Sequence, residues 1–290
     1  MTKDKFDRKW ITDNSLEEIE NYEKGELTIR GLHYRLVSRG MTNSFQHYKR
    51  VVSAMIKLRK EGDVPYDTFS DHDRGMECYT ASTKTDVYSE IDHAKGQIKA
   101  WMNNYSKDRW ENQDYYPEVW IEKKALIGAF EKVCVNNEVA LCACKGYPSL
   151  TFLDDAVERF KEATYDDKTP IILYFGDYDA SGEDIPRSIK ENLIEMGVHV
   201  EVKRVLLMEN QVLEYNLPPA PSKVTDSRTA NWDGMGQVEL DALEPSIIKE
   251  VLQESIDDIF DTDLHEELIE TEIEEREKFQ TELKKYVQAI

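Results

Sequence analysis

A chain of 290 residues has the length of about two domains of ~150 residues each and can bury at least one large core. With 40% hydrophobic and 33% charged residues, 13 Gly, 9 Pro and only four Cys, it fits neither a collagen-like, a low-complexity nor a disulfide-scaffold composition. A net charge of −21 argues at first sight against a nucleic-acid partner, and apolar runs such as Ile171–Phe175 fall far short of the ~20 residues that span a bilayer, so a soluble, cytoplasmic protein without a membrane partner is expected.

In chain order, residues 1–26 form a polar N-terminal helical segment, with a short helix predicted after Asn14-Ser15, where Ser15 caps and Glu18 completes a capping box. Residues 27–80 carry two amphipathic patterns: Ile29, Leu32, Leu36 and Val37, then Tyr48, Val51, Val52, Met55, Ile56 and Leu58. Gly40 separates them, and Gly62-Asp63-Val64-Pro65 turns the chain into a short strand or wing, which is a winged-helix outline. From Leu27 to Lys60 there is no acidic residue, while Arg30, Arg35, Arg39, Lys49, Arg50, Lys57, Arg59 and Lys60 supply eight positive charges. Such a helix pair would contact a phosphate backbone by counterion release; the alternative is a solvated face set against the acidic tail. Residues 81–115, with the Trp101 helix, read as a connector, as do Asp71-His72-Asp73-Arg74 before them.

From Pro117 the pattern alternates strand and helix: EVWIEK, a helix over Leu126–Val133, VALCACKG, a helix from Ser149, TPIILYF, a helix from Gly182, and HVEVKRVLL. This implies a mostly parallel sheet with helices on both faces, hence an α/β protein. Residues 246–290 form an acidic helical extension; over 241–290 there are 16 acidic and 5 basic residues. Cys78, Cys134, Cys142 and Cys144 match no CxxC or zinc-ribbon spacing and read as reduced core thiols, and the six histidines show no zinc-site spacing.

Gly176-Asp177-Tyr178-Asp179-Ala180-Ser181-Gly182 follows the apolar strand at its C-terminal end, where open α/β sheets bind ligands. If the strand continues, Asp177 and Asp179 point to one side, and Glu122, ending the earlier strand, reaches the same edge. Hard carboxylate oxygens of this kind suit magnesium; the alternative is that the aspartates only turn the chain and cap a helix.

WIEKKAL, CKGYPSLTFL and YFGDYDASGEDI, in that order, resemble the Toprim domain of the topoisomerase VI A subunit and the related meiotic double-strand-break proteins. The resemblance covers about residues 116–245, with Gly146 matching the motif's glycine turn and Val238–Leu243 its closing element. It implies a Rossmann-like Toprim domain after the winged helix and Mg2+ held by Glu122, Asp177 and Asp179. Arg30-Gly31-Leu32-His33-Tyr34 matches the family's Arg-x-x-x-Tyr segment and makes Tyr34 the implied nucleophile, although Gly31 and His33 stand where the family usually has an acidic residue and a second aromatic. A tyrosine hydroxyl, with a pKa of ~10, needs cations or a metal to attack phosphorus.

Three functions follow as expectations. The first is Mg2+-dependent cleavage of double-stranded DNA by Tyr34 transesterification, in a homodimer, with a separate ATPase subunit for strand passage because no GxxxxGK[ST] loop is present. The second is a hydrolytic Toprim nuclease or nickase using water activated by the metal, with Tyr34 structural. The third is a noncatalytic DNA-binding subunit.

Overall fold

The computed structural model describes residues 5–23, 26–70, 86–219 and 236–289. The chain divides into two compact units, Met1–Arg74 with Tyr115–Ile259, and Gly75–Asp114 with Phe260–Ile290.

The first unit is built on four parallel strands: β1 (Tyr115–Ile121), β2 (Ala140–Ala143), β3 (Thr169–Phe175) and β4 (Glu201–Leu206), in the order β2-β1-β3-β4. The run Pro170–Phe175 is buried throughout, as a central parallel strand covered on both faces must be. Side chains alternate between two layers. Trp120, Ile172 and Tyr174 join the core formed with α6 (Leu150–Tyr165) and α7 (Ala180–Glu195). On the other face the Phe175 ring meets Phe130 of α5 (Ile127–Asn136) at 4.9 Å, and α5 packs in turn on α9 (Pro245–Asp257).

That strand order has a functional consequence. From β1 the chain passes through α5 to β2 on one side, then crosses through α6 to β3 on the other side of β1. The winding therefore reverses between β1 and β3, and a crevice opens at their C-terminal ends, the usual ligand position in open α/β sheets.

Within β1, Glu118 is completely buried, yet its carboxylate accepts from Arg159 Nε (2.7 Å) and Nη2 (3.0 Å), Trp120 Nε1 (2.8 Å) and the Tyr116 hydroxyl (3.2 Å). A buried charge survives only when it is saturated in this way.

Ahead of the sheet, α1 (Arg8–Ile19), α2 (Ile29–Ser38) and α3 (Phe45–Glu61) share a core of Ile11, Leu32, Leu36, Val51, Met55 and Leu58. The cap of α1 differs from the sequence expectation. Asp7, not Ser15, accepts the Trp10 N–H, and Ser15 is buried in mid-helix, because Ile11 and Trp10 already begin the apolar stripe. Gly62 ends α3 in the left-handed conformation (φ 88°), as its position implied. After it, Phe69 pairs with Leu27 in a single parallel bridge, and no wing hairpin occurs among the described residues. The remaining expected wing residues, with Asp71-His72-Asp73-Arg74 and Cys78, lie outside those described. A short helix, α8 (Glu209–Glu214), follows β4, and Cys134 and Cys144 are buried free thiols with Cys142 half-buried.

The second unit consists of α4 (Val87–Asn103), α10 (Thr262–Ala289) and the chain beside them. The Tyr105 ring lies 5.3 Å from Phe279 and its hydroxyl donates to Glu275 at 2.6 Å, while Trp110 meets Phe260 edge-on at 5.2 Å. The expected acidic C-terminal helices are thus α9 and α10, one in each unit. No helix among the described residues is long and apolar enough to cross a membrane.

Candidate active site

Glu122 follows β1 and Asp177 follows β3 by two residues, so the strand reversal sets them side by side. The Glu122 N–H donates to the Phe175 carbonyl (2.9 Å), and its Oε2 accepts the Asp177 N–H (3.0 Å). This contact requires Gly176, since a Cβ there would stand 2.8 Å from Glu122 Oε2 and 2.7 Å from the Tyr174 ring. Asp177 Oδ1 accepts the Leu240 N–H (2.8 Å), and Oδ2 pairs with Lys123 Nζ (2.8 Å). Lys123 also reaches Glu239 (3.2 Å), whose two oxygens receive Arg30 Nη1 at 2.7 and 2.6 Å. Asp241 completes the cluster: its Oδ2 accepts the Thr28 hydroxyl (3.2 Å), while Oδ1 is buried without a hydrogen-bond partner.

The third sequence-predicted acid is held differently. β3 ends at Phe175, Tyr178 turns into an antiparallel bridge with Val238, and Asp179 becomes the cap of α7, its Oδ1 accepting the Gly182 N–H at 2.7 Å. The expected alternation through Asp177 and Asp179 is therefore broken, because the strand does not extend that far. Among the described residues no three His, Cys, Asp or Glu side chains come together closely enough to hold a metal as they stand.

Electrostatics mark Glu122. Burial, then repulsion from Asp177, pushes its carboxyl up to about 7 against the stabilising Asp177 N–H and Lys123. Burial also raises Asp177, with Lys123 opposing. Burial alone would lower the Lys123 ammonium, but Asp241, Asp177 and Glu239 more than offset it, so the lysine is firmly charged.

Tyr34 lies in α2 and is 1% exposed. Burial and the nearby Glu239 raise its hydroxyl further above 10, with Arg30 and Lys123 acting the other way. Its hydroxyl makes no hydrogen bond to a described residue.

The predicted basic face is partly neutralised: Arg35 is buried, Arg30, Arg50 and Arg59 are half-buried, and Arg39, Lys49, Lys57 and Lys60 are exposed. Arg30 is bound to Glu239, and Arg35 is buried against Glu244 and the Ala242 carbonyl. Arg39 pairs with Glu17 and Glu18, and Lys57 with Glu61 (3.3 Å). Arg50 donates to the Phe6 carbonyl (3.3 Å), Lys49 covers the Phe45 ring and Arg59 the Phe69 ring, and Lys60 is exposed. An acid-free sequence run hides this arrangement, since the neutralising carboxylates come from α1 and from residues 239–244.

A cleft of about 720 Å³ adjoins the acids, bordered by Arg30, Tyr48, Arg59, Phe69, Lys124 and Lys145 as well as Glu122 and Lys123. Behind the site, Arg204 of β4 donates to the carbonyls of Asp177 (2.7 Å) and Leu207 (2.6 Å) and to that of Gly182. No family model, curated protein or solved structure matches this chain. The residues sequence reasoning left out of the site are Lys123, Glu239, Asp241 and Arg204. The available signals were a second charge directly after Glu122, two acids in the VELDAL segment, and an arginine just before the apolar end of the EVKRVLL run.

The cluster fits a hard divalent cation in its chemistry. Five carboxylates (Glu122, Asp177, Asp179, Glu239, Asp241) face two cations (Lys123, Arg30), and the crowding that raises Glu122 is what an added positive charge would relieve. Glu122 and Asp177 would hold it, Lys123 giving up Asp177.

Proposed function

We propose that this chain is a Mg2+-dependent enzyme that cleaves DNA phosphodiesters at the crevice between β1 and β3, with Toprim-like chemistry. The observation that carries this reading is Glu122, raised to about 7 beside buried Asp177 at the point where the sheet's winding reverses. Bound there, magnesium would supply Lewis-acid stabilisation of the charge that develops on the transferring phosphoryl group. The chain's own residues do the rest. Glu122 and Asp177 would hold the metal, Lys123 and Arg30 stabilise negative charge, and Arg204 fixes the loop carrying Asp177.

Attack by water is the better-supported route, because Tyr34 is 1% exposed and burial and Glu239 hold its hydroxyl protonated. Tyrosine transesterification remains the second reading on one observation: Tyr34 belongs to the same charge network as Glu239, Arg30 and Lys123. That reading also proposes a homodimer and a separate ATPase subunit.

The test is supercoiled plasmid with Mg2+ or EDTA, using wild type, Asp177→Ala and Tyr34→Phe, resolved after SDS with and without protease. Adduct-free nicks that vanish in Asp177→Ala and survive in Tyr34→Phe support hydrolysis. A protease-sensitive adduct lost in both variants supports the tyrosine, and intact plasmid in every arm refutes both.

A further inference from the structure

The cleft beside Glu122 also carries cations that pair with no carboxylate among the described residues. Lys124 and Lys145 make no ion pair among the described residues, and the Arg59 guanidinium, stacked 4.7 Å from the Phe69 ring centre, has a buried Nε with no hydrogen-bond partner. The acids on the same wall are Glu122 and Asp241, and these already face Lys123, the Asp177 N–H and Thr28. Lys145 reaches the rim through a backbone turn in which it (φ 56°) and Gly146 (φ 86°) both occupy the left-handed region, a conformation that an L side chain adopts only when its surroundings impose it.

Size then selects the ligand. At about 720 Å³ the cleft falls in the roughly 300–1,000 Å³ range that encloses one small molecule. A space of that size holds one unpaired nucleotide rather than a length of duplex. Charge narrows the choice further. Three uncommitted cations exceed what one diester carries, and a terminal phosphomonoester, at about −1.5 to −2 near pH 7, matches them better. Tyr48, half-buried, sets an aromatic ring on the same wall, beside where the attached base would lie.

We propose that this cleft anchors the terminal phosphate of a single nucleic-acid strand, as a strand end or a nick exposes it. The inference rests on the reading of the site as one that acts on nucleic-acid phosphates.

Binding is measured in EDTA by fluorescence anisotropy, with single-stranded oligonucleotides that are 5′-phosphorylated, 3′-phosphorylated or unphosphorylated, and with a blunt unphosphorylated duplex. Wild type is expected to prefer one phosphorylated end by tenfold or more, and inorganic phosphate to compete. The Lys124→Ser/Lys145→Asn variant, altered only at the rim and with Asn suited to the left-handed turn, is expected to lose the preference. Arg59→Lys, which keeps the charge but not the planar fork, is expected to weaken it. Equal affinity for all ends, stronger binding to the duplex, or a preference unchanged in the double variant would overturn the proposal. Asp177→Ala separates the two readings: end preference retained without cleavage supports the anchor alone, and nicking in wild type without end preference supports cleavage alone.

Discussion

Replacing Glu122 by Gln should stabilise the metal-free protein at pH 8. The wild-type carboxyl moves from its ordinary 4.5 in the unfolded chain to about 7 in the fold, so the folded state binds the extra proton between those values. Stability from this group is full below pH 4.5 and is lost as pH rises through 7. At ~1.4 kcal/mol per tenfold change in proton affinity, the loss is at most about 3 kcal/mol. Glutamine keeps an oxygen to accept the Asp177 N–H, so most of that should be recovered, and Tm should rise by several degrees at ~2–4 °C per kcal/mol. The assay is thermal unfolding in EDTA at pH 4.5, 6 and 8. The variant should match wild type at the lowest pH and exceed it at the highest. Equal stability at pH 8, or a gain of the same size at all three pH values, would refute the reasoning that ionised Glu122 opposes the fold.

Arg159→Met should cost about 3–5 kcal/mol in urea unfolding, because Glu118 stays buried without its ion partner, and adding Glu118→Gln should restore much of it. Gly176→Ala should abolish Mg2+-dependent cleavage with a smaller loss of stability, since the new methyl group displaces Glu122; unchanged activity would count against the site. Gly182→Ala should fail more severely in thermal unfolding, as its Cβ would fall on the Asp177 carbonyl oxygen. In a Cys78→Ser background the native thiols should resist a disulfide reagent at pH 8 and react at once in denaturant, because burial raises Cys134 and Cys142 to about 12.

The sheet was legible because β3 is a continuous apolar run and β1 ends in one, and Ser149 caps α6 where the sequence placed it. Glu122 and Asp177 were singled out for the same reason, as the first acids after those runs, and they lie side by side in the fold. The Asp179 expectation erred by extending a period-two pattern past Phe175, where Gly176 already frees the chain to turn. The ion pairs of the basic helices were not legible for a different reason. Charge counted along a chain takes no account of carboxylates more than two hundred residues away, and Glu239 and Glu244 neutralise Arg30 and Arg35 from that distance.

The second unit has a consequence for synthesis. Its two segments flank the whole sheet, so α4 leaves the ribosome about 150 residues before α10 can join it. At ~5–20 residues per second this is a wait of roughly ten to thirty seconds, during which the sheet unit can finish folding first. Val87, Tyr88, Ile91 and Trp101 stay exposed even with α10 in place, so what the wait withholds from α4 is a neighbouring helix and not a cover for those side chains. Any shortened version that stops after α9 would make that wait permanent, leaving α4 without the helix beside it.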